Sequence, residues 1–328
     1  MAQERFGPAW RRCIIVEMSK QRVVRSFFDP QRGMPAVRLQ EVTVEGAFEP
    51  ARTNYFSIYW MEAGSGAFFA DAGRFDWIQR SLLFFTPYQY IRIEPVEAVP
   101  ATCIQFHANF LCIETFHAET GCAGPLFNDA YHAPAVSFGK REAKEVVGGV
   151  RRMIKEQQER ASAFEEVMLA QLKMLLILAT RTKTQMTAGC PDGGTKLRHP
   201  VLGQLKQLID ENYAALHSPS DYAKRLHMTS KTLGRVVREQ LGKSLTDLIR
   251  ERILTHAKWQ LLHTLKPVKE VAREVGFADE LYFSRMFKKA TGCSPTFFRD
   301  FETEIRGGSN LSMLSPVASI LSPGHVSR

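Results

Sequence analysis

The sequence predicts an α+β protein of two domains, a β-barrel with a helical pair followed by an all-α domain with two helix-turn-helix motifs. Three observations predict it. Residues 36–108 hold many short strand patterns separated by turn formers. From residue 198 to 305 the apolar spacing is helical, and one helical unit is repeated there. The basic excess of the chain is confined to that same region.

At 328 residues the chain has room for two domains of ordinary size. Its opening, MAQERFGPAWRRCIIVEMSK, carries charges and a proline where a signal peptide needs an unbroken apolar stretch. A more ordinary start, MSKQRVV, begins at Met18, so residues 1–17 are expected to be dispensable. No apolar run approaches the roughly 18 to 20 residues of a membrane span. A cytoplasmic protein without a membrane partner is the expectation.

The strand patterns are VRLQEVTV, YFSIYWME, GAFFADA, SLLFFT, YIRIEP and ATCIQFH, with AGSG and ADAG as turns between them. On the last strand, alternation sends Cys103, Gln105 and His107 to one side and Ile104 and Phe106 to the other. The stretch ATCIQFHANFLCIETFHAETGC, residues 101–122, spaces His107, Cys112, His117 and Cys122 by five. Five matches neither the strand nor the helix period. On a helix Cys112 and His117 would lie about 140° apart, too far around to share one ion. No metal site is expected there, and Cys112 is expected in the core. The six cysteines form no C-x-x-C pair and are expected to be reduced.

Residues 141–182 show helical spacing in two blocks, marked by Val146, Val150, Met153 and Ile154, then by Phe164, Val167, Met168, Leu172, Leu175, Leu176 and Ala179. The second block is more apolar than one packing face needs, which suggests a homodimer seam. TQMTAGCPDGGT has no apolar periodicity, and it opens an expected linker over 184–197. The boundaries are therefore 1–183, 184–197, 198–305, and a Gly-, Ser- and Pro-rich tail over 306–328 expected to be disordered.

In the helical region MTSKTLGRVVREQLGKS parallels ADELYFSRMFKKATGCS at an offset of 50, pairing Leu233 with Phe283 and Arg235 with Arg285. Upstream the offset is 49, pairing Ala223 with Ala272 and His227 with Gly276. The two alanines suit a close helix crossing, and Thr229 and Asp279 suit N-caps. Leu233, Val236 and Val237, or Phe283, Met286 and Phe287, make the buried side of the following helix. Residues 196–300 carry 19 Lys+Arg against 11 Asp+Glu, whereas residues 1–195 carry 22 against 21. Two such units on the one basic part of the chain point to a polyanion partner, double-stranded DNA.

Residues 198–300 resemble the DNA-binding domain of AraC/XylS-type transcriptional regulators. The resemblance is most specific over VKEVAREVGFADELYFSRMFKKATGCSPTFFR, residues 268–299. It implies two recognition helices in adjacent major-groove segments, joined by a long helix over about 245–263. It also implies a DNA-contacting set of Lys231, Thr232, Arg235, Arg238, Glu280, Leu281, Tyr282, Arg285 and Lys288, with Lys224 and Lys243 adding phosphate contacts. Three departures stand out: His227 replaces a turn glycine, Gly234 has no side chain at a reading position, and Leu281 offers only apolar contact.

Residues 40–182 loosely resemble the cupin-like sensor of the same family, followed by dimerising helices. Metal-dependent cupins carry an H-x-H pair early and a third histidine later. EPARTNYFSIYWME and TPYQYIRI hold no histidine, so no metal or other cofactor is expected. The candidates for contact with a small effector are Tyr55, Tyr59, Trp60, Arg92, Gln105 and His107. The expected function is that of a ligand-controlled DNA-binding regulator, not an enzyme, with RNA polymerase as a further partner if it activates. The alternatives are a cupin-type or thiol-dependent enzyme fused to a DNA-binding module, and a regulator controlled by a partner protein.

Overall fold

A computed structural model describes residues 27–108, 125–127, 129, 131–188 and 200–305. Cys112, His117 and Cys122, most of the expected linker and the 306–328 tail lie outside the described residues.

Among the described residues the first domain holds eight strands: β1 (Val37–Val44), β2 (Phe56–Met61), β3 (Ser65–Ala70), β4 (Gly73–Ile78), β5 (Ser81–Phe85), β6 (Ile91–Pro95), β7 (Val99–Phe106) and β8 (Ala135–Ser137). One antiparallel sheet runs β1-β7-β2-β5-β8 and a second runs β4-β3-β6. The barrel expected from sequence is thus two facing sheets. Among the described residues a single bridge outside the strands, Phe48 to Ile93, adds to their edge pairing.

The larger sheet is buried on both faces, which explains why β2 and β5 read as almost continuous apolar runs. Tyr59, Met61, Leu83, Phe85 and Cys103 meet Phe68, Trp77, Ile91 and Ile93 of the smaller sheet. Ile58, Trp60, Leu82, Phe84, Ile104 and Phe106 face the opposite way, against α1 (Lys140–Glu159) and α2 (Phe164–Ala188). Val146, Val150 and Met153 of α1 and Met168, Leu172, Leu175, Leu176 and Ala179 of α2 supply that second core. α2 continues to Ala188, so helix occupies the first residues of the segment read as linker.

The second domain comprises α3 (Val201–Asn212), α4 (Pro219–Arg225), α5 (Ser230–Leu241), α6 (Leu245–His263), α7 (Val268–Glu274), α8 (Glu280–Thr291) and α9 (Pro295–Ile305). The pairs α4–α5 and α7–α8 are the two helix-turn-helix units. Ala223 and Ala272 are each 1% exposed, where a larger side chain would separate the helices. The turns repeat atom for atom. Met228 N–H donates to Ala223 O at 2.9 Å, and Phe277 N–H to Ala272 O at 2.8 Å. Each needs a left-handed residue to close, and His227 (φ 54°) and Gly276 (φ 90°) supply it.

The two positions differ in what surrounds them. A Cβ on Gly276 would sit 1.9 Å from Ala214 O and 2.6 Å from His217 Nε2. Histidine is among the side chains that tolerate φ > 0, and His227 is exposed. Gly276→Ala is therefore expected to cost about 1–3 kcal/mol, while His227→Gly stays within about 1 kcal/mol of the parent. Urea denaturation of both variants measures the contrast.

Candidate nucleic-acid interface

Each recognition helix starts at a side-chain cap. Thr229 Oγ1 accepts from Thr232 N–H at 3.1 Å, and Asp279 Oδ1 accepts from Leu281 N–H at 2.8 Å. These satisfy amides that the first helical turn leaves open. Helical spacing then divides each helix. On α5, Leu233, Val236, Val237 and Leu241 are buried, whereas Lys231, Thr232, Arg235 and Arg238 are exposed. On α8, Phe283 and Phe287 are fully buried, and Leu281, Tyr282, Arg285 and Lys288 are exposed. Two outward faces of matching position result, which α6 joins through a common core.

The details refine the expected contact set. Glu280 is half-buried, at the border of the α8 core face. Thr232 Oγ1 lies 2.8 Å from Thr229 Oγ1, so its hydroxyl belongs partly to the cap. Arg235 lies 3.6 Å from Glu239, both exposed, a pairing too solvated to fix the guanidinium. Leu281 is 71% exposed and Tyr282 57%, apolar area on a helix that otherwise buries its apolar side. A Cβ on Gly234 would meet nothing within 4 Å, so packing does not demand glycine there. Lys243 is a correction. Instead of facing outward, it is 7% exposed and donates to Glu251 at 2.7 Å, between the domains.

The far end of each recognition helix abuts the first domain. Gly242, the left-handed cap of α5, accepts on its carbonyl from Arg74 N–H at 3.2 Å. A Cβ there would sit 2.3 Å from Arg74 O. At the end of α8, the Arg52 guanidinium donates to Ala290 O.

The six effector candidates do not converge. Tyr55 is buried, donates to Pro35 O at 2.7 Å and lies under Arg38; burial pushes its pKa up to about 12 against the pull of that arginine. Tyr59 fills the space between the sheets beside Cys103, and burial raises it well above the usual phenol. Trp60 faces the helices. Arg92 sits among Glu49 and Glu94 at the outer edge of β6. Gln105 donates to Ser57 Oγ at 3.0 Å and accepts from Arg38 at 2.8 Å. His107 stacks on Phe28 and lies 3.5 Å from Glu302 of α9, at the domain junction. Burial pushes the Cys103 thiol up to about 12, which leaves it a poor nucleophile.

Sequence reading missed a cavity of about 680 Å³ between the two domains. None of the six candidates lines it. Lys258 of α6 and His132 do, and neither belongs to a motif.

Residues 222–300 match a family model described as a helix-turn-helix domain. The arabinose operon regulatory protein of Escherichia coli K12 is 42% identical over 92 residues, which are 28% of this chain and 30% of that protein. The HTH-type transcriptional activator RhaR of E. coli K12 is 25% identical over 171 residues, 51% of this chain and 57% of the relative. The chain thus spans between about a third and about six-tenths of the length of these relatives. Among solved structures, ToxT of Vibrio cholerae O395 aligns over 81% of this chain and 97% of its own, at 14% identity and a TM-score of 0.35.

Arg52→Ala removes the charge-assisted bond at the end of α8, a loss of about 1.5–3 kcal/mol at that contact. Amide hydrogen exchange at Thr291 and Cys293 is expected to accelerate, with Val237 in α5 unchanged. Equal exchange in parent and variant would mean that the contact does not form in solution.

Proposed function

The second domain is an AraC-type helix-turn-helix domain, and from that premise we propose that the chain is a sequence-specific, DNA-binding transcriptional regulator under the control of a small effector. The observation that carries the reading is the pair of matching outward faces on α5 and α8, each with its apolar side locked into one core. A helix enters the major groove only if its docking side and its reading side are separated in this way.

In this reading Arg235 and Arg285, equivalent in the two units, reach guanine O6 and N7. Leu281 meets a thymine methyl, and Tyr282 packs against the backbone sugars. Lys224, Arg238 and Lys288 hold phosphates, and Lys243 takes no part. The bare surface at Gly234 lets the α5 backbone approach the groove floor closely. α6 has 19 residues and is about 28 Å long, close to the roughly 34 Å turn separating successive major-groove segments.

The partners follow from the same reading. The outer side of α2, where Met174 is 62% exposed, forms the seam of a homodimer that binds paired half-sites. An activator of this kind also touches RNA polymerase. Such a protein works in the bacterial cytoplasm, and no helix among the described residues is long and apolar enough to cross a membrane.

Selection of bound sites from random DNA, followed by titration at several salt concentrations, tests the proposal. Arg235→Ala and Arg285→Ala are each expected to cost about 1–3 kcal/mol on the selected site and to relax preference at one position. Lys288→Ala should weaken binding on every sequence and lower the salt slope by about one. A double Arg235→Ala, Arg285→Ala variant with parental affinity and selectivity would sink the assignment of the reading faces.

A further inference from the structure

Bulky aromatic side chains crowd the interior of the sandwich. Tyr59, Phe68, Trp77 and Phe85 occupy the space between the sheets at 3% exposure or less. The cavity of about 680 Å³ lies between the domains, bounded by α3, α6 and the end of α8 on one side and the 71 and 86–89 turns with Phe127, Asp129, Tyr131 and His132 on the other. That volume is within the range of small-molecule sites.

Charge around the cavity is unevenly matched. Its carboxylates have partners. Lys243 donates to Glu251 at 2.7 Å and Arg252 to Asp210 at 2.8 Å, while Asp129 lies 2.5 Å from His132 Nδ1. Asp71 accepts from Tyr90 N–H at 3.0 Å. The cations are less well served. Among the described residues, neither Lys206 nor Lys258 has a carboxylate within 4.0 Å. Lys206 Nζ is 5.2 Å from the centre of the Tyr131 ring, and Lys258 Nζ donates to a carbonyl, Pro87 O, at 3.4 Å. Burial holds the Lys258 ammonium below its usual range, outweighing the more distant pull of the Asp71 and Glu302 carboxylates. His132 Nε2 is buried with no hydrogen-bond partner. Phe127, Tyr88 and Tyr131 add aromatic wall.

We infer that this interdomain cavity, and not the sandwich interior, takes the effector, and that the effector is an organic anion with a flat apolar body. The inference rests on the regulator reading for the word effector; the anion site itself does not. The anionic group sits between Lys258 and Lys206, His132 supplies a hydrogen bond, and the apolar body lies on the aromatic wall. Because Ala290 and Thr291 also line the cavity, an occupant touches the end of the second recognition helix.

Isothermal titration of the full chain with two anions, naphthylacetate and naphthyl phosphate, and two neutral counterparts, naphthylacetamide and naphthol, tests it. At least one anion is expected to bind at one per chain, and at least about tenfold tighter than its neutral counterpart. Lys258→Met and Lys206→Gln should each weaken that binding by about tenfold or more, and Lys155→Met on α1 should not. If Lys258→Met fails to fold, Lys206→Gln alone decides. The inference is overturned if neither anion binds, if the neutral compounds bind equally well, or if the lysine variants bind like the parent. DNA binding by the same preparations separates the two readings. Selective DNA binding without anion binding removes the cavity assignment alone, whereas anion binding without DNA binding removes the regulator and leaves the site.

Discussion

A helix ends with carbonyls that have lost their partners and with the negative pole of its dipole, so its last turn attracts N–H groups and cations. Both recognition helices meet that need through the same neighbour. α5 gives the Gly242 carbonyl to the Arg74 backbone, and α8 gives the Ala290 carbonyl to the Arg52 guanidinium. The sandwich therefore holds the two helices by their ends and leaves their outward faces uncovered. Glycine at 242 is required twice over: the cap is left-handed at φ 67°, and Arg74 O leaves no room for a Cβ. A substitution that perturbs this end perturbs the setting of the whole helix.

Between these ends lies α6, which must serve two neighbours at once. Leu245, Leu248, Ile249, Ile253, Ala257 and Leu261 are buried in the core shared by both helix-turn-helix units. On its other side Glu251, Thr255 and Lys258 face the cavity. An apolar stripe fixes the spacing of the two units, and a polar stripe on the same helix faces the sandwich. This division explains why α6 carries buried charge that a simple connector would not need. Lys243 is drawn into the same role, paired with Glu251 rather than held out in solvent.

What was legible in the sequence was local. Alternation on β7 placed Cys103 on one face and Ile104 and Phe106 on the other, as the two cores show. The repeat placed Ala223 and Ala272 at equivalent crossings and His227 at a left-handed turn, because an offset of about fifty residues preserves helical phase. β4 was missed although Arg74, Phe75, Asp76 and Trp77 alternate, because its first residue, Gly73, belongs to the ADAG turn and its last, Ile78, is apolar yet exposed. The barrel became two sheets because closure depends on edge pairing that no strand pattern records. The cavity was illegible for a stronger reason: Tyr88 and Glu302 meet across 214 positions, and Lys258 owes its surroundings to a turn 171 positions away.

The contacts that join the domains are of a kind that can be shifted. Tyr88 donates to Glu302 at 2.5 Å, with His107 at 3.5 Å from the same carboxylate. Phe27, Tyr88 and Phe298 add a small aromatic cluster. Each ordinary hydrogen bond in such a joint contributes about 0.5–1.5 kcal/mol net. The differential affinity by which an effector moves an equilibrium is of similar size, about 1–3 kcal/mol. A joint with a continuous apolar core would resist such a bias, and a joint with no contacts would transmit none. This one lies between those limits, and the two helix ends it holds are those whose other faces carry Arg235 and Arg285.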